Sequence, residues 1–82
     1  GLYIEGYHVN HLLCSVLGKF GLRTFPFLEL SKPGCVKDTQ GLHCKYPGEL
    51  HTIPYNFIIR IVWSFFSVSR GVEGVVTYDP CE

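Results

Sequence analysis

Glu49, His51 and Arg60 are the grouping in this sequence that could carry out acid–base chemistry. A hydrolytic site needs a positioned base, an acid and something to stabilise developing charge. If their segment is a strand, Glu49 and His51 share a face, because side chains repeat every two residues. Arg60 interrupts an apolar run, and an arginine buried there demands a partner. A salt bridge to Glu49, Glu29 or Glu73 would meet that demand without any catalysis, and this plainer role is the expected one. Serine nucleophile elbows, phosphate loops and glycosidase-like carboxylate pairs are absent. The chain is expected not to be an enzyme and to need no cofactor.

The histidines are His8, His11, His43 and His51, with His43 adjoining Cys44. A zinc site could be drawn from them, but there is no tight Cys-x-x-Cys pair and the spacings match no usual finger. Polar, partly exposed histidines are expected, and no metal. The four cysteines Cys14, Cys35, Cys44 and Cys81, in 82 residues, say more. So short a chain buries only about 60% of the surface its unfolded form exposes, which leaves its core a marginal source of stability. An even cysteine count in a small domain reads as two disulfides and an oxidising compartment, hence a secreted protein. A bridge from Cys81 to the N-terminal third would be worth roughly 4 kcal/mol by chain entropy. Cys35 and Cys44 flank the turn Lys37-Asp38-Thr39-Gln40-Gly41, so a local bridge there is expected.

Hydrophobic residues make up 46% of the chain and charged residues 17%, which argues against disorder. One domain, residues 1–82, is the expected count. Seven basic and seven acidic residues give zero net charge, and strong nucleic-acid binding leans on clustered Lys and Arg. Weak or no nucleic-acid affinity is expected. The chain starts at Gly1 without a signal sequence, which fits a processed secreted form. Residues 53–68 are mostly apolar but carry Pro54, Asn56 and Arg60, and the run falls short of the ~20 residues a spanning helix needs. No membrane partner is expected, and a monomer is.

The elements that would position these groups follow from periodicity. Leu2 to Tyr7 reads as a strand. Asn10 is a good N-cap, Leu12, Leu13, Val16, Leu17 and Phe20 recur at helical spacing, and Gly21 suits C′, so a helix is expected over 10–20. A strand over 22–30 is demoted to an edge or bulge by Pro26. Residues 31–49 are rich in turns. The β-branched and aromatic content of the following segment predicts strands over 50–55, 57–68 and 72–78. The expected fold is α+β, with a single N-terminal helix packed on a twisted antiparallel sheet of about four main strands. Its expected core is Leu12, Leu13, Val16, Leu17, Phe20, Ile59, Ile61, Trp63, Phe65, Val75 and Tyr78. A β-sandwich effector or toxin is the alternative. Tyr3, Tyr7, Phe25, Phe27, Tyr46 and Tyr55 exceed what one helix on a sheet can bury, and spare aromatics suit recognition. The expected binding residues are Phe25, Phe27, Tyr46 and Arg60.

In order, the pieces Tyr3-Ile4-Glu5-Gly6-Tyr7, the helix, Phe25-Pro26, Arg60-Ile61-Val62-Trp63, Gly74-Val75-Val76-Thr77 and Cys81 make a pattern. That pattern resembles the guanyl-specific microbial ribonucleases and the RNase-like (RALPH) secreted effectors of powdery mildew fungi. The likeness spans nearly the whole chain, although each motif alone is short. It implies a ribonuclease-like fold and, for the effector branch, virulence or avirulence through host proteins, delivery into the plant cell and recognition by an immune receptor.

The departures qualify the likeness. Glu5 stands where the family has its first cysteine, so Cys14 becomes the expected partner of Cys81, with Cys35 paired to Cys44. The catalytic histidine that follows the aromatic-Pro step is replaced by Phe27, and the general-acid histidine after the Gly-Val-hydrophobic-Thr strand by Tyr78. Arg60 matches the catalytic arginine position, but an arginine alone cannot run the proton transfers, and a phenol is a poor acid near neutral pH. The expectation is a catalytically inactive ribonuclease-like scaffold acting as a fungal effector on host plant proteins. RNA binding by stacking on Phe25, Phe27 or Tyr46, or RNA cleavage by Glu49, His51 and Arg60, is the alternative.

Overall fold

A 14-residue helix, α1, runs from Gly6 to Lys19 and starts four residues before the cap expected at Asn10. The computed structural model describes residues 2–3, 6–28, 34–49 and 52–82, with backbone alone for those before Val9. Val9, Leu13, Val16 and Leu17 form the buried stripe of α1 at the helical i, i+4, i+7, i+8 spacing. The helix ends as the sequence predicts. Gly21, at φ 72°, is the left-handed C′ residue, with Leu22 N–H reaching the Leu17 carbonyl and Gly21 N–H the Gly18 carbonyl. These two bonds satisfy carbonyls that the helix end would otherwise leave unpaired.

Asn10 is not a cap. It lies inside α1, and its Oδ1 accepts a 2.5 Å hydrogen bond from the Tyr78 hydroxyl and a longer one from the Leu42 N–H. Tertiary contacts therefore use its amide where the sequence pattern suggested local capping. Gly41, at φ 125°, lies so close that an added Cβ would fall 2.4 Å from the Asn10 amide nitrogen. Only glycine permits that approach of strand to helix.

The strands are short. β1 (Leu2–Tyr3), β3 (Cys35–Asp38) and β4 (Gly41–Tyr46) form one antiparallel sheet in the order β1-β4-β3. β2 (Phe25–Phe27) and β5 (Val76–Tyr78) form a second, two-stranded antiparallel sheet. The β3–β4 hairpin brings Cys35 opposite Cys44, inside the stretch expected to be loop. Pro26 sits opposite Thr77 on a strand with only one partner, where its missing N–H is tolerated.

The largest correction lies in the second half. Residues 55–68 form a second helix, α2 (Tyr55–Val68), where strands were expected over 50–55 and 57–68. Its buried residues are Ile58, Ile61, Val62 and Phe65, an i, i+3, i+4, i+7 stripe. High β-propensity is overridden because a helix pairs its interior backbone groups within the segment while burying one stripe against α1 and β2. Residues 50–51, part of the expected first strand, lie outside the described residues.

Over the described residues the fold is thus α+β, with two helices, two small antiparallel sheets and two disulfides, in place of one helix on a four-stranded sheet. α1 packs on β4 and α2 on β2, with the helices also touching each other. Their shared core adds Phe25, Phe27, Cys35, Leu42 and Cys44 to the two helix stripes. Of the expected core, Leu13, Val16, Leu17, Ile61 and Phe65 are buried. Leu12, Ile59, Val75 and Tyr78 are half-buried, while Phe20 and Trp63 are exposed. On α1 and α2 the helix period, not strand alternation, decides which side each takes.

Candidate functional site

Phe25 and Phe27 are 1% and 4% exposed, so neither ring is offered to a partner. Both pack on Phe65, with centroids 5.4 and 5.2 Å away, and both meet Tyr78. Their alternate positions on β2 point both side chains to the same inner face, which corrects the expectation of a recognition edge there. Tyr46 is half-buried. Its ring sits 4.7 Å from that of Phe57, and its hydroxyl donates to the Thr52 carbonyl. Arg60 is exposed on α2, so the demand for a buried partner does not arise.

The proposed acid–base grouping is not assembled as a strand. The Glu49 carbonyl accepts from both the N–H and the hydroxyl of Thr52, at 3.0 and 2.7 Å, so Glu49 opens a tight turn. His51 lies outside the described residues. Among the described residues, no group of three His, Cys, Asp or Glu side chains could hold a metal ion.

Both disulfides join the cysteines in the expected pairs. Cys14 on α1 bonds Cys81, and Cys35 bonds Cys44 across the hairpin. Cys35 and Cys44 are buried, whereas Cys81 is exposed and Cys14 half-buried. The long bridge, with the Asn10–Tyr78 hydrogen bond and an Arg23–Asp79 ion pair at 2.8 Å, ties the C-terminal segment to the first third of the chain. Desolvation raises the carboxyl pKa of Asp79, but hydrogen bonds from Arg23 and the Cys81 N–H outweigh it and the net shift is downward.

Around these ties lies a polar hollow of about 260 Å³, lined by Asn10, Lys37, Asp38, Gln40, Tyr78 and Asp79 among others. Burial pushes the Tyr78 phenol above its ordinary value, with the Asn10 hydrogen bond opposing and the charges of Asp38 and Asp79 adding to the rise. The phenol therefore stays protonated and spends its proton on Asn10. Asp38 is held below its ordinary value, first by the Gln40 N–H on its carboxylate at 2.8 Å and then by His43. His43 Nε2 lies 2.9 Å from Asp38 Oδ2, close enough for an ion pair, but the N–H direction is too poorly aligned for a hydrogen bond.

Sequence reasoning missed two arrangements. One is the Asn10–Tyr78–Asp38 corner, whose residues come from three separate elements and share no spacing signal. The other is a seam of rings between the helices, where Phe20 packs edge-on against Trp63 at 5.6 Å and Trp63 meets Phe66 at a tilt, 5.3 Å away. Reading 55–68 at helical period would have found the second. No protein-family model, curated protein or solved structure matches this chain.

Proposed function

We propose that this chain is a secreted, disulfide-stapled effector of a plant-pathogenic fungus that acts by binding a host plant protein and lacks ribonuclease chemistry. The observation that carries the reading is the state of Tyr78. It occupies the position of the general acid in the ribonucleases the sequence resembles, yet it is a phenol held protonated and committed to Asn10. A group so engaged is a structural tie, not a proton donor to a leaving group.

The ribonuclease-like scaffold belongs to this proposal. Its support is the N-terminal helix, the terminal Cys81 bridge and β5 with the Gly-Val-hydrophobic-Thr motif leading into it. The Arg60–Trp63 motif lies on a helix, where the resemblance implies a strand, and weakens it. With Phe25 and Phe27 buried, the contact surface we propose is the β3–β4 hairpin. There Val36 is exposed beside Lys37, Asp38, Thr39 and Gln40 on a turn braced by a disulfide. Variable side chains on a stapled hairpin can change partner without unsettling the core. Once inside the host cell, recognition by a plant immune receptor would use the same surface.

The test is affinity capture from plant extract with the native protein and a Val36→Glu/Gln40→Arg variant. Host proteins retained by the native chain and lost by the folded variant support the reading, and equal capture by both refutes the surface. In parallel, guanosine-containing RNA is incubated with native protein and His51→Ala. Turnover that disappears in the variant would establish an enzyme and overturn the proposal.

A further inference from the structure

Charge is unevenly distributed in this neutral chain. Neither helix contains an Asp or Glu, and the charged side chains within them are Lys19 and Arg60. The turns that follow them add Arg23 and Arg70. Arg23 is engaged by Asp79, which leaves Lys19, Arg60 and Arg70 as exposed cations along the helical side. Of the described acidic residues, Glu73 lies three residues beyond Arg70 and Asp79 pairs with Arg23, while Asp38 is on the hairpin, Glu49 in a turn and Glu82 at the C-terminus.

The same side carries the exposed rings. Phe20 is 50% and Trp63 45% exposed although each contacts the other, and the half-buried Phe66 extends the seam. Tyr55, also exposed, receives the Lys19 ammonium 4.5 Å from its ring centroid and shares a hydrogen bond with Ser15. Arg60 precedes Trp63 by three residues and Arg70 follows Phe66 by four, and such spacing sets each cation beside its ring on a helical surface. Ser69 still has helical angles, so the surface continues past the end of α2.

We propose that this seam docks on an anionic membrane surface, with Phe20, Trp63 and Phe66 entering the headgroup region and Lys19, Arg60 and Arg70 meeting lipid phosphates and carboxylates. The charge complementarity selects the occupant: aromatic rings rimmed by cations, on two helices without a carboxylate, match an acidic bilayer. The cations are long and separately placed, and the other polar side chains of α2 beside Trp63 are Tyr55, Asn56, Ser64 and Ser67. That pattern suits a fluid surface better than a partner read by a fixed set of hydrogen bonds. Among the described residues no helix is long and apolar enough to cross a membrane, so the contact is peripheral. The sequence expectation of no membrane partner rested on spanning, and lying on a surface is a separate condition. The inference does not depend on the effector reading.

Trp63 is the sole tryptophan and reports on the contact directly. The oxidised full-length chain is titrated with phosphatidylcholine vesicles, either pure or containing about one quarter phosphatidylserine. Binding is read by tryptophan emission and co-sedimentation. The expected result is a blue shift and co-sedimentation with the anionic vesicles only, weakened by added salt. Replacing Lys19, Arg60 and Arg70 together by Gln should weaken partition about a hundredfold, at roughly fivefold per charge. Trp63→Ser, followed by co-sedimentation, should weaken it as well. Circular dichroism establishes that both variants fold. Equal binding to both vesicle types, no binding to either, or undiminished binding of the Gln variant overturns the proposal. So does a blue shift that follows protein concentration without lipid, because the seam would then be covered by a second copy of the chain.

Discussion

Opening the Cys14–Cys81 bridge should remove a large share of the stability of this fold. The bridge spans a sequence separation of 67, against 9 for Cys35–Cys44. Constraining the unfolded chain over those loops is worth about 4 kcal/mol for the long bridge and about 3 kcal/mol for the short one at 25 °C. Total stability for 82 residues is on the order of 4–12 kcal/mol, so Cys14→Ser/Cys81→Ser should leave the protein marginal. Packing adds little to this loss, because Cys81 is exposed and Cys14 half-buried. Cys35→Ala/Cys44→Ala differs: both sulfurs are buried in the core, and an entropic loss of about 3 kcal/mol is joined by a packing loss. Free energies of the two double variants can therefore come out close for different reasons. The slope of urea unfolding separates them, since it scales with newly exposed surface. Without the long bridge the denatured chain expands and the slope rises, and without the short one it barely changes. A Cys14→Ser/Cys81→Ser variant within about 1 kcal/mol of the native protein, with an unchanged slope, would refute the reasoning.

Three further outcomes are expected. Phe65→Ala should cost about 3–5 kcal/mol in thermal or urea unfolding, because its fully buried ring meets Phe25 and Phe27, while Trp63→Ala should cost under about 1.5 kcal/mol. Equal costs would mean that residues 63 and 65 share a face, as on a strand, and would refute α2. Tyr78→Phe removes the hydroxyl held by Asn10 and should cost about 1 kcal/mol, with a larger loss pointing to rearrangement of the C-terminal segment. Asp38→Asn keeps an oxygen for the Gln40 N–H but loses the charge. The folded carboxyl sits below its ordinary value of 3.8, so its stabilisation is present above that value and lost as pH falls through the folded pKa. Native protein should exceed the variant in stability near pH 6, with the gap closing toward pH 3, and a gap constant with pH would refute the assignment.

The parts of this fold that were legible in the sequence are those where a local signal and the tertiary structure agree. Gly21 ends α1 because a left-handed residue is needed there, and the stripe from Leu13 to Leu17 is helical both in spacing and in burial. The local Cys35–Cys44 pairing was legible because the two flank a turn, while Cys14 as the partner of Cys81 came from the resemblance, with Glu5 standing at the family's first cysteine. Residues 55–68 failed the same reading because two signals conflict. Ile58, Ile59, Ile61 and Val62 favour strand by shape, whereas the positions that are buried recur at helical period. Propensity differences amount to ~1 kcal/mol across the scale, and packing a four-residue stripe against two neighbours outweighs them.

That one conflict also displaced the candidate site. Read as a strand, the segment buries Trp63 beside Phe65 and makes Arg60 an interruption in need of a partner. Wound as a helix, it turns Arg60 and Trp63 outward together and brings Trp63 against Phe20 at the end of α1. Phe25 and Phe27 move the opposite way, because the inner face of β2 is what Phe65 packs on once α2 forms. Exposed aromatic surface in this chain is therefore a consequence of helical phase. Turning α2 by one residue, about 100°, in one direction would bring Ile59, Val62, Trp63 and Phe66 onto the inner face in place of Ile58, Ile61 and Phe65.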